Sequence, residues 1–169
     1  MVFHIAARTD LNGVEISEYD TNTIGVENII KVLAGVHELQ LAVFLSSMLV
    51  CKLGYTPKNP IDFCLSTTYG KSKVIGEQAV PKYGKYLPWV ILRPTSLWEP
   101  WFGSPYRDFF DVLTRGFYFH PKGVRVYRSY RFVLNAIEAM YKMAVEISHD
   151  ILLKQVYYVA DPEPIELYA

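Results

Sequence analysis

The sequence has little of what marks an exported, membrane-spanning or nucleic-acid-binding protein. Its two cysteines, Cys51 and Cys64, are too few for a disulfide framework and fit a reducing compartment. Lys plus Arg equals Asp plus Glu at 17 each, so no net charge draws the chain to nucleic acid or to an anionic membrane. No apolar run approaches the ~20 residues of a membrane-spanning helix, and the apolar residues 1–7 lack a basic leader. We therefore expect a cytoplasmic protein that binds a small molecule, and neither nucleic acid nor a membrane.

The apolar residues that are present form short runs. Hydrophobic residues make up 51% of the chain, which is enough for a packed domain. Four of the runs are continuous instead of alternating, which is typical of strands buried on both faces. These predicted strands are residues 2–6, 41–45, 89–92 and 156–159.

Helical patterns lie between the predicted strands. Apolar residues recur at helical spacing over residues 16–33, with Gly35 as the predicted C-cap, and a second helix is predicted over 68–83. Strands that alternate with helices predict an α/β fold with a parallel sheet and right-handed crossovers. Residues 108–116 and 132–147 indicate two further helices, and the stretch between them, 117–130, is predicted to be extended.

A loop rich in proline and aromatic residues follows Arg93. Long loops beyond the carboxyl ends of parallel strands are where such sheets hold ligands. The aromatic side chains of this loop either stack on a ligand or cover the core. The second half of the chain also carries guanidinium groups of the kind that bind diphosphates, although most surface arginines have no such role. These are Arg107, Arg115, Arg125, Arg128 and Arg131.

A tyrosine and a lysine four residues apart form the strongest candidate for proton chemistry. On a helix over 68–83, Tyr69 and Lys73 share one face, and the ammonium is expected to favour the phenolate and so lower the pKa of Tyr69. Ser46 and Ser47 end the second apolar run, and Ser47 is the preferred hydroxyl partner. The alternatives are an exposed helix pair without a role and a serine that only caps a loop. No His, Cys or Asp spacing indicates a metal site.

Five segments, in this order and spacing, resemble the extended short-chain dehydrogenase/reductases, the NAD-dependent epimerase/dehydratase family. The segments are 2–7, 19–25, 46–50, 69–73 and 92–95. Residues 19–25 resemble the family's Tyr-x-x-Asn-x-x-Gly helix, and residues 69–73 resemble its Tyr-x-x-x-Lys motif. The resemblance implies a partial Rossmann-like sheet with the catalytic motif in residues 1–96, and a region over 97–169 that mainly binds substrate.

The resemblance also implies roles for individual residues. Tyr69 is the general acid or base, Lys73 lowers its pKa and binds the cofactor ribose, Ser47 holds the reacting oxygen and Asn22 lies behind the site. The implied cofactor is NAD or NADP. Its further contacts are Ala6, Ala7, Pro94 and Thr95, and the candidate substrate contacts beside Ser47 are Met48, Ser96, Arg115 and Arg125.

Three departures from the family pattern stand out. None of the ten glycines forms the glycine-rich phosphate-binding turn, and the resemblance begins at the fourth strand, so about 60 residues are expected upstream. The chain also ends in a segment that resembles part of a substrate domain with more to follow. In addition, Met48 and Leu49 stand where the dehydratases carry an Asp-Glu pair, which favours epimerisation or simple oxidation and reduction over dehydration.

Three functional hypotheses remain at this point. The first is the catalytic portion of a nucleotide-sugar epimerase or related oxidoreductase that acts on a secondary alcohol. The second is an enzyme like the hydroxysteroid dehydrogenases or a carbonyl reductase. The third is an inactive truncated paralogue or interaction module. Since upstream strands would cover apolar faces, the isolated chain is also expected to associate, for example as a homodimer.

We predict that the isolated 169-residue chain binds NAD weakly or not at all, because it carries no glycine-rich turn to hold the pyrophosphate. Isothermal titration calorimetry with NAD and NADP measures this directly. A dissociation constant in the low micromolar range would contradict it.

Overall fold

A parallel sheet forms the centre of the protein. The computed structural model describes residues 1–104, 106–119, 126–146, 152–161, 163 and 165–167. Four parallel strands pair in the order β1, β2, β3, β7, which confirms the predicted α/β fold with a parallel sheet. These strands are β1 (Val2–His4), β2 (Ala42–Leu45), β3 (Trp89–Pro94) and β7 (Val156–Val159).

Helices cover both faces of this sheet. The helices are α1 (Ile24–Leu33), α2 (Thr68–Tyr83), α3 (Tyr106–Thr114) and α4 (Val133–Glu146). Val26 and Ile30 of α1 and Val80 of α2 share one core cluster with Phe44 and Ile91 of the sheet. The alternate strand residues point the other way and pack with α4. That second cluster includes Val43, Val90, Ala136 and Ala144.

Short strand pairs lie outside the main sheet. They involve β4 (Ser96–Trp98), β5 (Val126–Arg128), β6 (Tyr130–Phe132) and β8 (Ile165–Leu167). β4 pairs with β6 in parallel, and β5 pairs with β8 antiparallel. The strands β5 and β6 lie within the stretch that the sequence predicts to be extended, of which residues 120–125 lie outside the described residues. In the described part of the chain, no helix is long and apolar enough to cross a bilayer.

The first predicted helix is wrong in two details. Residues 16–33 form a 3₁₀ helix, Ile16–Asn22, followed by α1, and Thr23 between them has φ −114° and ψ −81°. A side-chain capping box between Glu15 and Glu18 starts the first segment. The C-cap is Ala34, in right-handed helical geometry, and not Gly35. The spacing of apolar residues does not predict the change from a 3₁₀ helix to α1, because the apolar residues of both segments face the core.

Glycines in α2 let this helix approach its neighbours. A Cβ on Gly76 would lie 2.5 Å from the Asn22 carbonyl oxygen, and one on Gly70 would overlap the Leu49 carbonyl oxygen. The helix therefore lies directly against the end of the 3₁₀ segment and against the loop after β2. These two contacts fix where the side chains of α2 are placed relative to β2.

We expect Gly76→Ala to lower the free energy of unfolding by about 1–3 kcal/mol, because the added methyl group forces α2 away from a backbone carbonyl. Urea denaturation measures the change. Gly103→Ala is the matched control, since a Cβ there meets nothing within 4 Å, and it should change stability by less than about 0.5 kcal/mol. Equal effects of the two substitutions would contradict the close approach.

Candidate active site

The start of α2 brings Tyr69 and Lys73 together at the carboxyl end of the sheet. The side chain of Thr67 caps the helix by accepting a hydrogen bond from the Gly70 amide at 2.9 Å. Tyr69 is 7% exposed and Lys73 is also 7% exposed. The Lys73 ammonium lies 5.8 Å from the centroid of the Tyr69 ring and donates to the Leu45 carbonyl at 3.1 Å. The pair is therefore buried against the end of β2 and is not an exposed helix pair.

Ser47 influences the ionisation of Tyr69. A side-chain hydrogen bond between these two residues acts to lower the pKa of Tyr69. Ser47 also caps the short 3₁₀ helix Met48–Val50 and accepts a hydrogen bond from the Leu49 amide at 3.1 Å. Ser47 thus both caps a helix and acts on Tyr69, and the first does not exclude the second.

Ser46 lies on the other side of the extended backbone. Its hydroxyl is buried and has no hydrogen-bond partner among the described residues. It lines a cavity of about 20 Å³ together with His4, Lys73 and Glu77. A cavity of this size holds about one water molecule. Of the two serines, only Ser47 acts on the pKa of Tyr69.

Burial dominates the electrostatics of the pair. It raises the pKa of Tyr69 above the ordinary value, and the Ser47 hydrogen bond opposes this only in part. Lys73 is not among the causes of this shift, and a lowering of the Tyr69 pKa by Lys73 together with the cofactor ring stays a prediction. Burial also lowers the pKa of Lys73 to about 8, although the Glu77 carboxylate acts to raise it.

Asn22 connects the segment after β1 to α2. Its amide group donates to the Arg8 carbonyl at 2.9 Å and to the Ser72 hydroxyl at 3.0 Å, and its oxygen accepts from the Arg8 amide at 3.0 Å. Ser72 in turn donates to the Tyr69 carbonyl at 2.7 Å. Asn22 is 1% exposed. Asn22 is thus connected to the backbone of Tyr69 through the Ser72 hydroxyl.

The other predicted contacts fall into two groups. Ala6 and Ala7 follow β1, and Pro94 and Thr95 stand at the end of β3, so all four lie beyond or at the carboxyl ends of parallel strands. Met48, Thr95 and Ser96 line a cavity of about 590 Å³. The remaining lining includes Lys52, Leu53, Tyr55, Tyr127 and Tyr158.

Of the two predicted arginine contacts, only Arg115 belongs to the described residues. Arg115 follows α3, is exposed and is not among the described lining residues. Arg125 lies outside the described residues. Lys52 is the one cationic side chain in the described lining of the cavity.

A buried charge pair beside the site is missing from the sequence prediction. Arg93 donates to both carboxylate oxygens of Glu77, from Nε at 2.9 Å and from an Nη atom at 2.6 Å, and both side chains are 5% exposed or less. Arg93 also donates to the Tyr158 hydroxyl at 2.9 Å and to the Pro60 carbonyl at 2.6 Å. The available signal was the spacing of Glu77, four residues after Lys73 and hence on the same helix face.

A second aromatic side chain also escaped the sequence reading. Tyr19, which is fully buried, has its ring centroid 6.1 Å from that of Tyr69. Its hydroxyl donates to the Asp10 carbonyl at 2.9 Å and accepts from the Gly13 amide at 3.1 Å. The sequence placed Tyr19 in the predicted helix over 16–33 and at the start of a motif, and it did not predict that its ring packs against Tyr69.

The chain matches a known family of NAD-binding domains over most of its length. The model of a family described as Male sterility protein, a family of NAD-binding domains, matches residues 1–146 of the 169. No curated protein matches the chain.

Solved structures match nearly the whole chain. UDP-glucuronic acid 4-epimerase from Bacillus cereus, in complex with UDP-glucuronic acid and NAD, has a TM-score of 0.78 at 19% identity and covers 98% of this chain and 55% of its own. RMD from Pseudomonas aeruginosa, complexed with NADPH, gives 0.73 at 16% identity, with 97% and 61% covered. The terminal R domain of the myxalamid PKS-NRPS pathway gives 0.77 at 19% identity, with 97% and 43% covered. At these identities the likeness shows the fold, and the chain spans about half the length of these structures.

We expect Lys73→Met to stabilise the protein near neutral pH. The pKa of Lys73 in the folded protein, about 8, lies below its ordinary 10.5, so the buried ammonium costs stability below about pH 8, and this cost is lost as the pH rises toward 10.5. The variant should therefore gain up to about 3 kcal/mol at about pH 7 and clearly less at about pH 10. Urea denaturation across this range measures the difference.

Lys71→Met is the control for the lysine substitution, because Lys71 is exposed on the same helix. It should change stability by less than about 0.5 kcal/mol at every pH. A Lys73→Met variant that is less stable than the wild type at about pH 7 would contradict the assignment of a destabilising buried charge.

Proposed function

Since the chain belongs to the family of NAD-binding domains described as Male sterility protein, we propose that it carries the proton-transfer site of an NAD(P)-dependent oxidoreductase. The reaction moves hydride between the nicotinamide and a carbon that bears a hydroxyl or carbonyl oxygen. The observation that supports this most directly is the burial of Tyr69 and Lys73 at the carboxyl end of the sheet, with the Lys73 ammonium 5.8 Å from the centroid of the Tyr69 ring. Parallel α/β sheets hold their ligands at that end.

Each residue of the site has a role in this proposal. The Tyr69 hydroxyl gives a proton to the substrate oxygen during reduction and takes it back during oxidation. The Ser47 hydroxyl holds the same oxygen. Because the pKa of Lys73 is about 8, its side chain is mostly an ammonium near neutral pH and stabilises negative charge on the Tyr69 oxygen as the proton leaves. Asn22 positions Tyr69 through Ser72 and the helix backbone.

The donor set fits the nicotinamide end of the cofactor. The Lys73 ammonium and the Tyr69 hydroxyl are donors of the kind that bind a ribose, and the small side chains of Ala6 and Ala7 leave room beside the end of β1. When bound, the cofactor supplies or accepts the hydride. NAD and NADP both remain candidates, because the 2′-phosphate that distinguishes them lies on the adenosine ribose, at the other end of the cofactor from these residues.

For the substrate, we propose a nucleotide sugar, and for the reaction its epimerisation or a related oxidation or reduction of a secondary alcohol. The motif resemblance supports this, as does the pair Met48 and Leu49, which leaves no carboxylate to drive the loss of water. An epimerase returns its cofactor unchanged, so it consumes a sugar epimer without net formation of NADH.

A carbonyl reductase is the second candidate, and the cavity favours it on one point. The described lining offers Lys52 as its one cation and includes Met48, Leu53 and three tyrosines, which suits a substrate with little negative charge. Net oxidation of NADH or NADPH in the presence of aldehydes or ketones distinguishes this candidate from an epimerase.

We expect Tyr69→Phe to lower the rate of hydride transfer by about 10²–10⁴-fold, because it removes the proton donor but keeps the ring. The measurement uses the full-length protein with NAD or NADP, follows the nicotinamide absorbance, and tests UDP-sugars, ketones and aldehydes in turn. Sugar epimers are separated by chromatography.

Tyr86→Phe is the matched control, since Tyr86 is 89% exposed, and it should retain full activity. Cofactor affinity should change less than the rate in the Tyr69→Phe variant. A Tyr69→Phe rate equal to that of the wild type would contradict the proposal, and complete inactivity of the wild type with every substrate class would favour a non-catalytic role.

A further inference from the structure

Two free cysteines are partners in a backbone β-bridge, at the base of a loop that lines the cavity of about 590 Å³, here called the large cavity. Cys51 and Cys64 are partners in parallel register, and both are free thiols. The Lys52 amide donates to the Cys64 carbonyl at 2.6 Å, and the Cys64 amide donates to the Val50 carbonyl at 3.3 Å. The backbone of Cys64 is therefore hydrogen-bonded to the two residues that flank Cys51, Val50 and Lys52. Residues paired across neighbouring strands lie about 4.8 Å apart, within the ~4.4–6.8 Å between the Cα atoms of a disulfide.

The surroundings of the two thiols differ. Cys51 is 5% exposed and packs in a core cluster with Val50 and Val74. Its Sγ donates to the Asp62 carbonyl at 3.4 Å, so the sulfur points toward the segment that carries Cys64. Cys64 itself is only half-buried. A small disulfide in solution therefore reaches Cys64 first.

Both thiols also lie near one phenol. Tyr55 donates to the Asp62 carboxylate at 2.8 Å, and this hydrogen bond is the main cause that raises the pKa of Tyr55. Cys51 and Cys64 each add a smaller contribution in the same direction. A shared neighbour is consistent with two sulfurs on the same side of the paired backbone.

We propose that Cys51 and Cys64 form a reversible intramolecular disulfide, which makes this pair a redox modification site. This inference does not rest on the proposed oxidoreductase activity. The co-reactant is a low-molecular-weight disulfide such as oxidised glutathione. Cys64, as the thiolate, attacks it, forms a mixed disulfide and releases one glutathione thiolate. Cys51, as the thiolate, then attacks the Cys64 sulfur and releases the second. Two protein thiols are oxidised and one glutathione disulfide is reduced to two thiols.

The disulfide acts on the loop between the two cysteines. Residues 53–57 of this loop line the large cavity, and the Pro60 carbonyl accepts a hydrogen bond from Arg93. Joining Cys51 to Cys64 closes both ends of the loop and restricts its conformations. The redox state of the pair therefore sets how firmly one wall of the cavity is held.

The test uses the reduced full-length protein, incubated with oxidised glutathione. Remaining thiols are alkylated and the peptides are mapped by mass spectrometry. The expected product is a Cys51–Cys64 linked peptide that lacks two hydrogens and disappears after treatment with dithiothreitol. Hydrogen exchange of the amides at 52–63 should be slower in the oxidised protein.

A variant without the Cys51 thiol separates the reaction of Cys64 with glutathione from the formation of the internal disulfide. Cys51→Ser, or Cys51→Ala if the serine disturbs the core, leaves Cys64 without its resolving thiol, so glutathione should accumulate on Cys64. The wild type should instead proceed to the internal disulfide. Full alkylation of both wild-type cysteines, glutathione retained on wild-type Cys64, or a disulfide-linked dimer would each overturn the proposal.

Discussion

The buried ion pair between Arg93 and Glu77 is the contact on which the arrangement of the other elements depends. Removing two charges from water costs several kcal/mol each, and only well-placed hydrogen bonds offset that cost. Arg93 meets this condition by donating to Glu77, to the Tyr158 hydroxyl and to the Pro60 carbonyl. These acceptors belong to α2, β7 and the loop after β2, so one guanidinium group joins three parts of the fold to β3.

The same constraint reaches the candidate site along α2. Glu77 is held from the sheet side by Arg93, while Gly70 and Gly76 bring the helix against two backbone carbonyls. Lys73, between them, is therefore buried beside the end of β2 and keeps a pKa of about 8. The geometry of Tyr69 and Lys73 follows from contacts at several points of the helix, and not only from their own spacing.

Local patterns in the sequence predicted the elements, whereas contacts between distant segments could not be predicted. The continuous apolar runs gave the parallel strands, and α2 has the predicted bounds. Helical spacing placed Tyr69 and Lys73 on one face. The choice between Ser46 and Ser47 was only a preference, because it depends on which way the chain turns after β2. The partner of Arg93 and the raised pKa of Tyr69 were missed, since both arise from burial that only the assembled fold creates.

The order of the strands has a consequence for how the chain closes. β1, β2 and β3 are neighbours in the sheet and also follow one another in the sequence. β7, in contrast, pairs with β3 only after α3, α4 and three short strands have intervened in the sequence. The entropy lost on closing a loop grows with its length, so this last pairing carries the largest ordering cost among the sheet contacts. It also aligns Tyr158 beside Arg93. Within the described main sheet, the strand pairing that closes the longest loop thus supplies one of the hydrogen-bond acceptors of the fully buried Arg93 side chain.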